Sequence, residues 1–468
     1  MKKIAIIGGG AAGSAAAWIL NKKYDVTLYE AGSYLGGHAY THELTIDGEK
    51  ISVDMGVEYY HERLSPNFSA LLKYFNLESY IAPLSFRAFN PLEPNTDYWS
   101  NNHCGGKLKS KLYDEMNRFH LDMIEVINDK QSKEMSMKDF LDSRGYSNEF
   151  REKALLALMS TFSGCKKVSL DYSLTYFALS FNMNLLSFFT PSHWRKLKGG
   201  IHVYLKNIQQ SLKGKVFLNT KVTSVEKMPN GIKVTLADNV NHYYDEVIFA
   251  CQAYIAKNLI KNSSTQQQAC LSVFDYVDVQ STLHSDNAAV SSQTLSDEYC
   301  QFQLATPSNS VTIGSLTRVN HHLHAYQHLV KPIYVSFDNR DRIDPLKIIS
   351  KKDWKLPKLR PIDIQHKHKM SRIQGKDNLW FCGTDYSLTG HEGAIVSGLV
   401  IANHLGADYP FKDNYLAKAQ FDLIKSFMGI YTRKQKLAEH VIGALFIISK
   451  YFNLHQYLSG RFIKDLLF

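Results

Sequence analysis

The chain begins with two short runs of apolar residues that flank a stretch of small ones. Lys3–Ile7 is almost entirely apolar, and Asp25–Tyr29 alternates polar with apolar side chains, so both are predicted as strands. Residues 11–21 between them are rich in alanine, which favours a helix. The pattern predicts a compact β-α-β unit at the start of the chain.

Helical and strand patterns alternate over the rest of the chain. Residues 65–195 are predicted to be mostly helical, since apolar residues recur three and four positions apart in 110–128 and 138–158. Strand patterns then return at 215–226, 231–236, 246–250, 276–283, 301–306, 310–316 and 379–382. A proline-asparagine-glycine turn at 229–231 joins the first two. Helices are predicted at 393–405 and within 413–468.

The turn after the first strand carries a dinucleotide-binding pattern. Residues 8–13 read Gly-Gly-Gly-Ala-Ala-Gly, which contains Gly-x-Gly-x-x-Gly at a strand-to-helix junction. Gly8 permits a tight turn, Gly10 allows a pyrophosphate to approach the backbone, and Gly13 allows close packing of helix and strand. Glu30 ends the second strand, where a carboxylate can accept both hydroxyls of an adenosine ribose. The alternative is a structural glycine-rich turn.

Composition narrows the class of protein without naming its ligand. Hydrophobic residues make up 44% and charged residues 21%, which excludes a disordered or fibrous chain. The net charge of +10 leaves a nucleic acid, an anionic membrane or an acidic ligand open. No basic run with interleaved aromatic residues is present, so we expect no nucleic-acid partner. The histidines at 321, 322, 324 and 328 lack the spacing of a known site, so we expect no metal.

The six cysteines contain no Cys-x-x-Cys pair, which favours a reducing compartment and a cytoplasmic protein. No run approaches the roughly 20 apolar residues that cross a bilayer. The last segment, 413–468, combines bulky apolar residues with a basic polar face. Helices of this kind pack on their own protein or lie on anionic lipid as a peripheral membrane contact, and we favour packing.

Three further segments carry a resemblance to a known superfamily. Glu30 is followed by Leu-Gly-Gly-His at 35–38, residues 53–61 read Val-Asp-Met-Gly-Val-Glu-Tyr-Tyr-His, and residues 379–385 read Leu-Trp-Phe-Cys-Gly-Thr-Asp ahead of a Gly-His-Glu-Gly turn at 390–393. Together they resemble the FAD-dependent amine oxidase, protoporphyrinogen oxidase and phytoene desaturase superfamily over most of residues 1–410. The resemblance implies FAD, bound noncovalently because no Ser-Gly-Gly-Cys segment is present.

The resemblance implies both an architecture and a set of cofactor contacts. The fold class is α/β with α+β, in which a Rossmann-like FAD-binding domain (1–65, 196–262 and 370–412) is interleaved with a mixed-sheet and helical substrate domain (66–195 and 263–369). Residues 413–468 form a helical C-terminal extension. The predicted FAD contacts are Gly8, Gly10, Ala11, Ala12, Gly13, Glu30, Ala31, Gly36, Gly37, His38, Met55, Gly56, Val222, Gly383, Asp385, Glu392, Gly393 and Ala394. The family usually has arginine where this chain has His38.

Four residues are candidates for catalysis. The resemblance places Tyr59 and Tyr60 beside the isoalloxazine ring, where either tyrosine faces the substrate or simply packs on a strand. His391 would lie close to the flavin and carry a proton, or only hydrogen-bond the flavin. Glu392 would act with it, or only cap the helix that begins there.

The predicted activity is hydride transfer between flavin N5 and a hydrophobic, lipid-like or polyene substrate, by desaturation, saturation or double-bond isomerisation. Amine-oxidising members carry an aromatic residue at the position of Gly390, which disfavours an amine substrate. Residues 312–320 and the turn at His391 further resemble bacterial FAD/NAD-binding proteins associated with fatty-acid modification. The alternatives are a flavin amine oxidase and, as in the similar GDP dissociation inhibitors, a non-catalytic lipid carrier.

Overall fold

A computed structural model gives the architecture of the chain. It describes residues 1–430 except 93–96, 103–110, 128, 130, 164–169, 184, 292–296, 306–312 and 339–341. The first residues of the strand predicted at 310–316, and the C-terminal extension from 431 onwards, therefore lie outside the described residues.

Strands and helices are distributed over the whole described part of the chain. The strands are β1 (Lys3–Ile7), β2 (Asp25–Tyr29), β3 (Thr41–Ile46), β4 (Glu49–Asp54), β5 (Ser79–Leu84), β6 (Phe86–Phe89), β7 (Asp97–Ser100), β8 (Ser192–Leu197), β9 (Lys215–Phe217), β10 (Val222–Met228), β11 (Gly231–Leu236), β12 (Asn241–Tyr244), β13 (Glu246–Phe249), β14 (Tyr276–His284), β15 (Cys300–Ala305), β16 (Ile313–Val319), β17 (Tyr334–Phe337), β18 (Ile348–Pro357) and β19 (Leu379–Phe381). The helices are α1 (Ala11–Leu20), α2 (Pro66–Tyr74), α3 (Lys111–Val126), α4 (Met137–Ser143), α5 (Asn148–Phe150), α6 (Leu156–Ser163), α7 (Leu174–Asn182), α8 (Val203–Ser211), α9 (Ala253–Leu259), α10 (Thr265–Leu271), α11 (Pro361–Lys369), α12 (Gly390–His404) and α13 (Tyr415–Phe427).

A five-stranded parallel sheet forms the centre of the nucleotide-binding part. Its order is β19-β13-β1-β2-β9, and α1 connects its neighbouring strands β1 and β2. The predicted β-α-β unit is confirmed, with both strands at the predicted bounds. In a parallel sheet the carboxyl ends of the strands meet at one edge, where ligands bind. The glycine turn after β1, Glu30 after β2 and residue 382 after β19 all lie at that edge.

The predicted strand 215–226 is in fact two strands in different sheets. β9 pairs with β2 in the parallel sheet, whereas β10 begins an antiparallel sheet with β11 and β12. The break falls at Asn219, whose φ of 52° is left-handed. There the amide of Thr220 donates to the Glu30 carbonyl at 2.9 Å. The turn predicted at 229–231 is confirmed between β10 and β11.

The second part is built on a seven-stranded mixed sheet with helices packed against it. Its order is β18-β14-β17-β16-β15-β6-β7, in which β15 and β6 are parallel and the other pairs antiparallel. The helix predicted at 138–158 is interrupted, since Gly145 has a φ of 64° and Ser147 caps a new helix at Asn148. The end of the predicted helical region is also wrong, because Ser192–Leu197 pairs with β5 as a strand.

Two helices outside the predicted FAD-binding segments pack into its core. Phe68 of α2 and Phe421 and Ile424 of α13 belong to the same buried cluster as α1 and α12. The described part of the C-terminal extension thus packs on its own protein. No helix in the described part of the chain is long and apolar enough to span a bilayer.

Glycines allow α1 and α12 to cross in close contact. A Cβ built at Gly398 of α12 would lie 2.1 Å from the carbonyl oxygen of Ala12. No side chain fits there, so the two helix backbones touch. This contact fixes where α12 begins relative to the turn after β1.

We therefore expect Gly398→Ala to lower the free energy of unfolding by about 2–3 kcal/mol, since the added methyl group forces the helices apart. Urea unfolding of the FAD-free protein measures this. Gly10→Ala is the matched control, because its Cβ would have no neighbour nearer than 4.0 Å. Equal stability of the two variants would show that the crossing tolerates a side chain.

Candidate FAD site

The glycine turn after β1 leaves a space that side chains would fill. Gly8 has a φ of 108°, and a Cβ on it would lie 2.7 Å from the carbonyl oxygen of Ala250. A Cβ on Gly13 would lie 1.9 Å from the Gly8 carbonyl oxygen. Gly10 is the N-cap of α1 and provides no side chain to its free amides. An anion such as a pyrophosphate fits this uncapped helix end.

Glu30 lies where a ribose is predicted. Its Oε2 accepts from the amide of Gly9 and its Oε1 from the amide of Gly32, each at 2.7 Å. These bonds fix the carboxylate beside the glycine turn. A carboxylate has about four acceptor positions, so both oxygens can still accept ribose hydroxyls.

The Gly36-Gly37 doublet packs directly on the glycine turn. The amide of Gly36 donates to the Gly9 carbonyl at 2.9 Å, and Gly36 forms a parallel bridge with Gly10. Gly36 and Gly37 have φ values of 153° and 56°, and a Cβ on Gly37 would come within 3.4 Å of Gly10 Cα. The doublet thus forms a second backbone wall of the same cleft.

The segment around Gly56 continues this wall beyond the doublet. The amide of Val57 donates to the His38 carbonyl at 2.9 Å, and a Cβ on Gly56 would lie 2.2 Å from that oxygen. Met55 is fully buried. Burial lowers the pKa of His38, while the nearby Asp385 carboxylate opposes that shift. His38 therefore lies near Asp385 in the loop after β19.

Asp385 presents an unsatisfied oxygen in this cleft. Its Oδ2 accepts from the amide of Ala253 at 2.8 Å and from the Tyr276 hydroxyl at 2.6 Å. Its Oδ1 is buried without a hydrogen-bond partner, and burial raises the pKa of the carboxyl group. A buried acceptor without a donor is costly, so a hydroxyl-bearing ligand such as the ribityl chain of FAD fits here.

The helix that follows supplies a second uncapped N-terminus. Thr389 precedes α12 but makes no side-chain cap, and a Cβ on Gly393 would lie 2.0 Å from the Leu388 carbonyl oxygen. Gly390 has a φ of 92°, and a Cβ on it would meet no atom within 4 Å. The positive end of α12 stabilises negative charge placed before it.

The remaining predicted FAD contacts follow these elements. Ala11 and Ala12 are buried in the first turn of α1, Ala394 in the first turn of α12, and Val222 at the start of β10. Ala31 is exposed directly after Glu30. Gly383, with a φ of 122°, donates its amide to Ser397 Oγ at 2.9 Å. Their contacts with FAD stay predictions.

The two acid-base candidates of α12 have different surroundings. The His391 ring packs edge-on against Phe68 and Tyr204, its Nε2 is buried without a partner, and burial lowers its pKa to about 4. The ring is therefore neutral near pH 7. Glu392 instead accepts from the amides of Asn67 and Phe68, each at 2.8 Å. It caps α2 rather than its own helix, a function the sequence did not indicate.

The two tyrosines also differ. The Tyr60 hydroxyl donates to Ser79 Oγ at 2.7 Å and its ring packs on Phe68, which indicates a structural role. The Tyr59 hydroxyl is buried without a partner, and its ring packs edge-on against Tyr299 at 5.6 Å. Of these two candidates only Tyr59 has an unpartnered hydroxyl, a property that it shares with Tyr204 beside His391 among the described residues.

Sequence reasoning missed three buried cationic side chains near the cleft. Lys367 Nζ donates to the Thr384 carbonyl at 2.6 Å and to Thr389 Oγ1 at 3.1 Å, so it ties together the loop between β19 and α12. Burial lowers its pKa to about 8. Lys196 and Arg318 both pair with Glu58 beside Gly56. No pattern along the sequence could have identified these cations, because Lys196 and Lys367 lie among other polar residues and their partners are distant in the chain.

A family model described as flavin containing amine oxidoreductase matches residues 11–281. The structure of wild-type putrescine oxidase bound to putrescine is 16% identical and covers 86% of this chain and 98% of its own, with a TM-score of 0.61. A CLA-producing fatty acid isomerase from P. acnes is 13% identical over 85% and 97%, with a TM-score of 0.60. Cyclohexylamine oxidase from Brevibacterium oxydans IH-35A is 13% identical over 86% and 99%, with a TM-score of 0.61. No curated protein sequence matches.

We expect Gly10→Ala to weaken FAD binding at least tenfold while leaving the FAD-free protein as stable as wild type. The added methyl group has space within the chain but occupies the position of the ligand beside the uncapped α1. Fluorescence titration of the FAD-free protein with FAD measures the affinity. Unchanged affinity would place the pyrophosphate elsewhere.

The raised pKa of Glu392 predicts that the free energy of unfolding depends on pH. Burial raises its pKa to about 7 from an ordinary value of 4.5, so the folded protein binds the proton more tightly than the unfolded chain. Its contribution is full below about pH 4.5 and is lost as the pH rises to about 7. The stability advantage of wild type over Glu392→Gln should therefore shrink over this interval in urea unfolding of the FAD-saturated protein. An advantage that grows with pH would contradict the shift.

Proposed function

The chain belongs to the family of flavin containing amine oxidoreductases, and we propose that it transfers a hydride between FAD and a hydrophobic, lipid-like or polyene substrate. As a member of that family it is an FAD-dependent oxidoreductase that acts on a small molecule. When bound, FAD supplies the hydride acceptor or donor at N5. The non-catalytic carrier is set aside, because the family is one of oxidoreductases.

Gly390 is the observation on which the substrate proposal depends. In the amine-oxidising members of the superfamily that this chain resembles, an aromatic residue at this position forms one wall of the substrate site. Here the position is a glycine with a φ of 92°, a conformation that side-chain-bearing residues rarely adopt. The local backbone itself therefore disfavours an aromatic wall, and open space replaces it.

The surface of the helical layer supports a hydrophobic substrate. Leu121 and Ile124 on α3 and Leu179 and Met183 at α7 are exposed by between 46% and 62%. The two helices are neighbours, since Asn182 Nδ2 donates to the Met123 carbonyl at 2.6 Å. Exposed large apolar side chains on two neighbouring helices suit a region that meets an apolar molecule.

The residues of this chain suit a mechanism in which a hydride is transferred and no charged histidine donates a proton. His391 is neutral near pH 7 and holds no extra proton to donate. The uncapped N-terminus of α12 places a positive partial charge where the resemblance puts the N1-C2=O edge of the flavin. Such a charge favours the anionic reduced flavin and thus the removal of a hydride from the substrate.

We expect linoleate or a polyene such as retinol, added anaerobically to the FAD-loaded enzyme, either to bleach the oxidised flavin bands or to return an isomer detectable by gas chromatography. Putrescine and cyclohexylamine serve as the amine arm and should leave the spectrum unchanged. The amines should fail to reduce the flavin because the open space at Gly390 provides no aromatic wall to hold them.

Bleaching by an amine together with inert lipids would overturn the proposal in favour of amine oxidation. That alternative is kept because two of the similar folds are amine oxidases.

A further inference from the structure

A buried group of charged and polar residues adjoins Gly56 from the side of the mixed sheet. We name Glu58, Lys196, Tyr299 and Arg318 the Glu58 cluster. Glu58 Oε2 accepts from Lys196 Nζ and from the Tyr299 hydroxyl, each at 2.9 Å, and Glu58 Oε1 lies 2.9 Å from Arg318 Nε. Arg318 Nη1 donates to the Gly56 carbonyl at 3.1 Å. The cluster therefore touches the loop predicted to lie along the flavin.

The cluster has more positive than negative charge within contact distance. Two cations share the single carboxylate of Glu58. Burial alone would lower the pKa of Lys196 and Arg318, but Glu58 raises both above their usual values, so both stay charged. The next carboxylate, Asp54, is bound by Thr41 Oγ1 and the Ile201 amide rather than by either cation. At contact distance the two cations therefore outnumber the one carboxylate, while Asp54 acts on Lys196 from further away.

The buried groups of the cluster without a hydrogen bond are one acceptor, Glu58 Oε1, which is ion-paired with Arg318 at 2.9 Å, and several donors. Among the described residues, the only hydrogen bond of the Arg318 guanidinium is the one from Nη1 to Gly56. The Tyr59 hydroxyl and Asn320 Nδ2 are buried without partners. Asn320 belongs to the same network, since its Oδ1 accepts from the Tyr299 hydroxyl at 3.4 Å. Buried donors without acceptors are costly and suit a ligand that brings oxygen atoms.

Arg318 is the member that a ligand can reach. Its side chain is 8% exposed, whereas those of Lys196 and Glu58 are 1% exposed. The guanidinium carbon lies 4.4 Å from the centre of the Phe337 ring, which holds the plane of the group in one orientation. A fixed, partly open guanidinium is suited to bidentate binding of a carboxylate.

We propose that the Glu58 cluster is a binding site for the carboxylate of the substrate, with Arg318 as the residue that contacts it. This inference rests on the proposed function and narrows the substrate to a hydrophobic molecule that carries a free acid group. Glu58 and the Gly56 carbonyl hold the guanidinium in place, and Tyr59 is positioned to donate a further hydrogen bond. The other oxygen-bearing occupant of this space is the flavin ring, and the test separates the two.

The experiment titrates the FAD-loaded, full-length enzyme with decanoate and with 1-decanol at pH 8, followed by the flavin difference spectrum. The two probes share an apolar chain and differ in the anionic head group. We expect decanoate to bind at least tenfold more tightly than 1-decanol. Arg318→Gln should remove this preference by weakening decanoate alone, and Arg318→Lys should retain part of it.

The matched control is Lys351→Gln, which removes one exposed positive charge from β18 and should leave both affinities unchanged. Equal binding of acid and alcohol to the wild type would overturn the carboxylate site while the hydrophobic substrate stands. Binding of neither probe would overturn both. An Arg318→Gln enzyme that loses FAD affinity but keeps the preference for decanoate would show that Arg318 serves the flavin, which also overturns the proposal.

Discussion

The site depends on backbone contacts that exclude side chains. At the crossing of α1 and α12, Gly398 lies so close to the Ala12 carbonyl that a Cβ would come within 2.1 Å. Because this contact fixes the two helices together, both begin beside residues 36–38. Gly10 pairs with Gly36, and the pKa of His391 responds to His38. Two positive helix ends thus converge on one cleft, which suits a long ligand with an anionic centre such as FAD.

Hydrogen-bond satisfaction separates groups that hold the fold from groups that are available to a ligand. Glu392 and Tyr60 were both predicted as catalytic candidates, but their polar groups already have hydrogen-bond partners in the protein. Asp385 Oδ1, His391 Nε2 and the Tyr59 hydroxyl are equally buried and have none. Since an orphaned buried polar group costs free energy, the second set is the better guide to contacts with cofactor or substrate. The sequence motifs alone do not separate the two sets, because they predict contact with cofactor or substrate for the residues of both.

The sequence predicted local features well and distant contacts poorly. β1, β2 and the glycine turn follow from neighbouring residues, because strand alternation and the conformational freedom of glycine act within a few positions. The segment 215–226 failed as one strand, since the hydrogen bond of Thr220 to Glu30 bends it away. The contact of Glu392 with α2 joins positions over 300 residues apart, which no pattern along the chain reveals.

Specificity must arise outside the features that the similar folds share. The structural match to this chain extends over nearly the whole length of a putrescine oxidase and of a fatty acid isomerase. One of these proteins is named for an amine and the other for a fatty acid. The likeness to these structures is therefore one of fold, and a fold alone does not set the substrate. In this chain Gly390 supplies open space on one side, and Lys196 and Arg318 outnumber Glu58 on the other. Under the proposal that the Glu58 cluster binds a carboxylate, this local excess of positive charge would favour an anion over a cation, because little water is present to screen it.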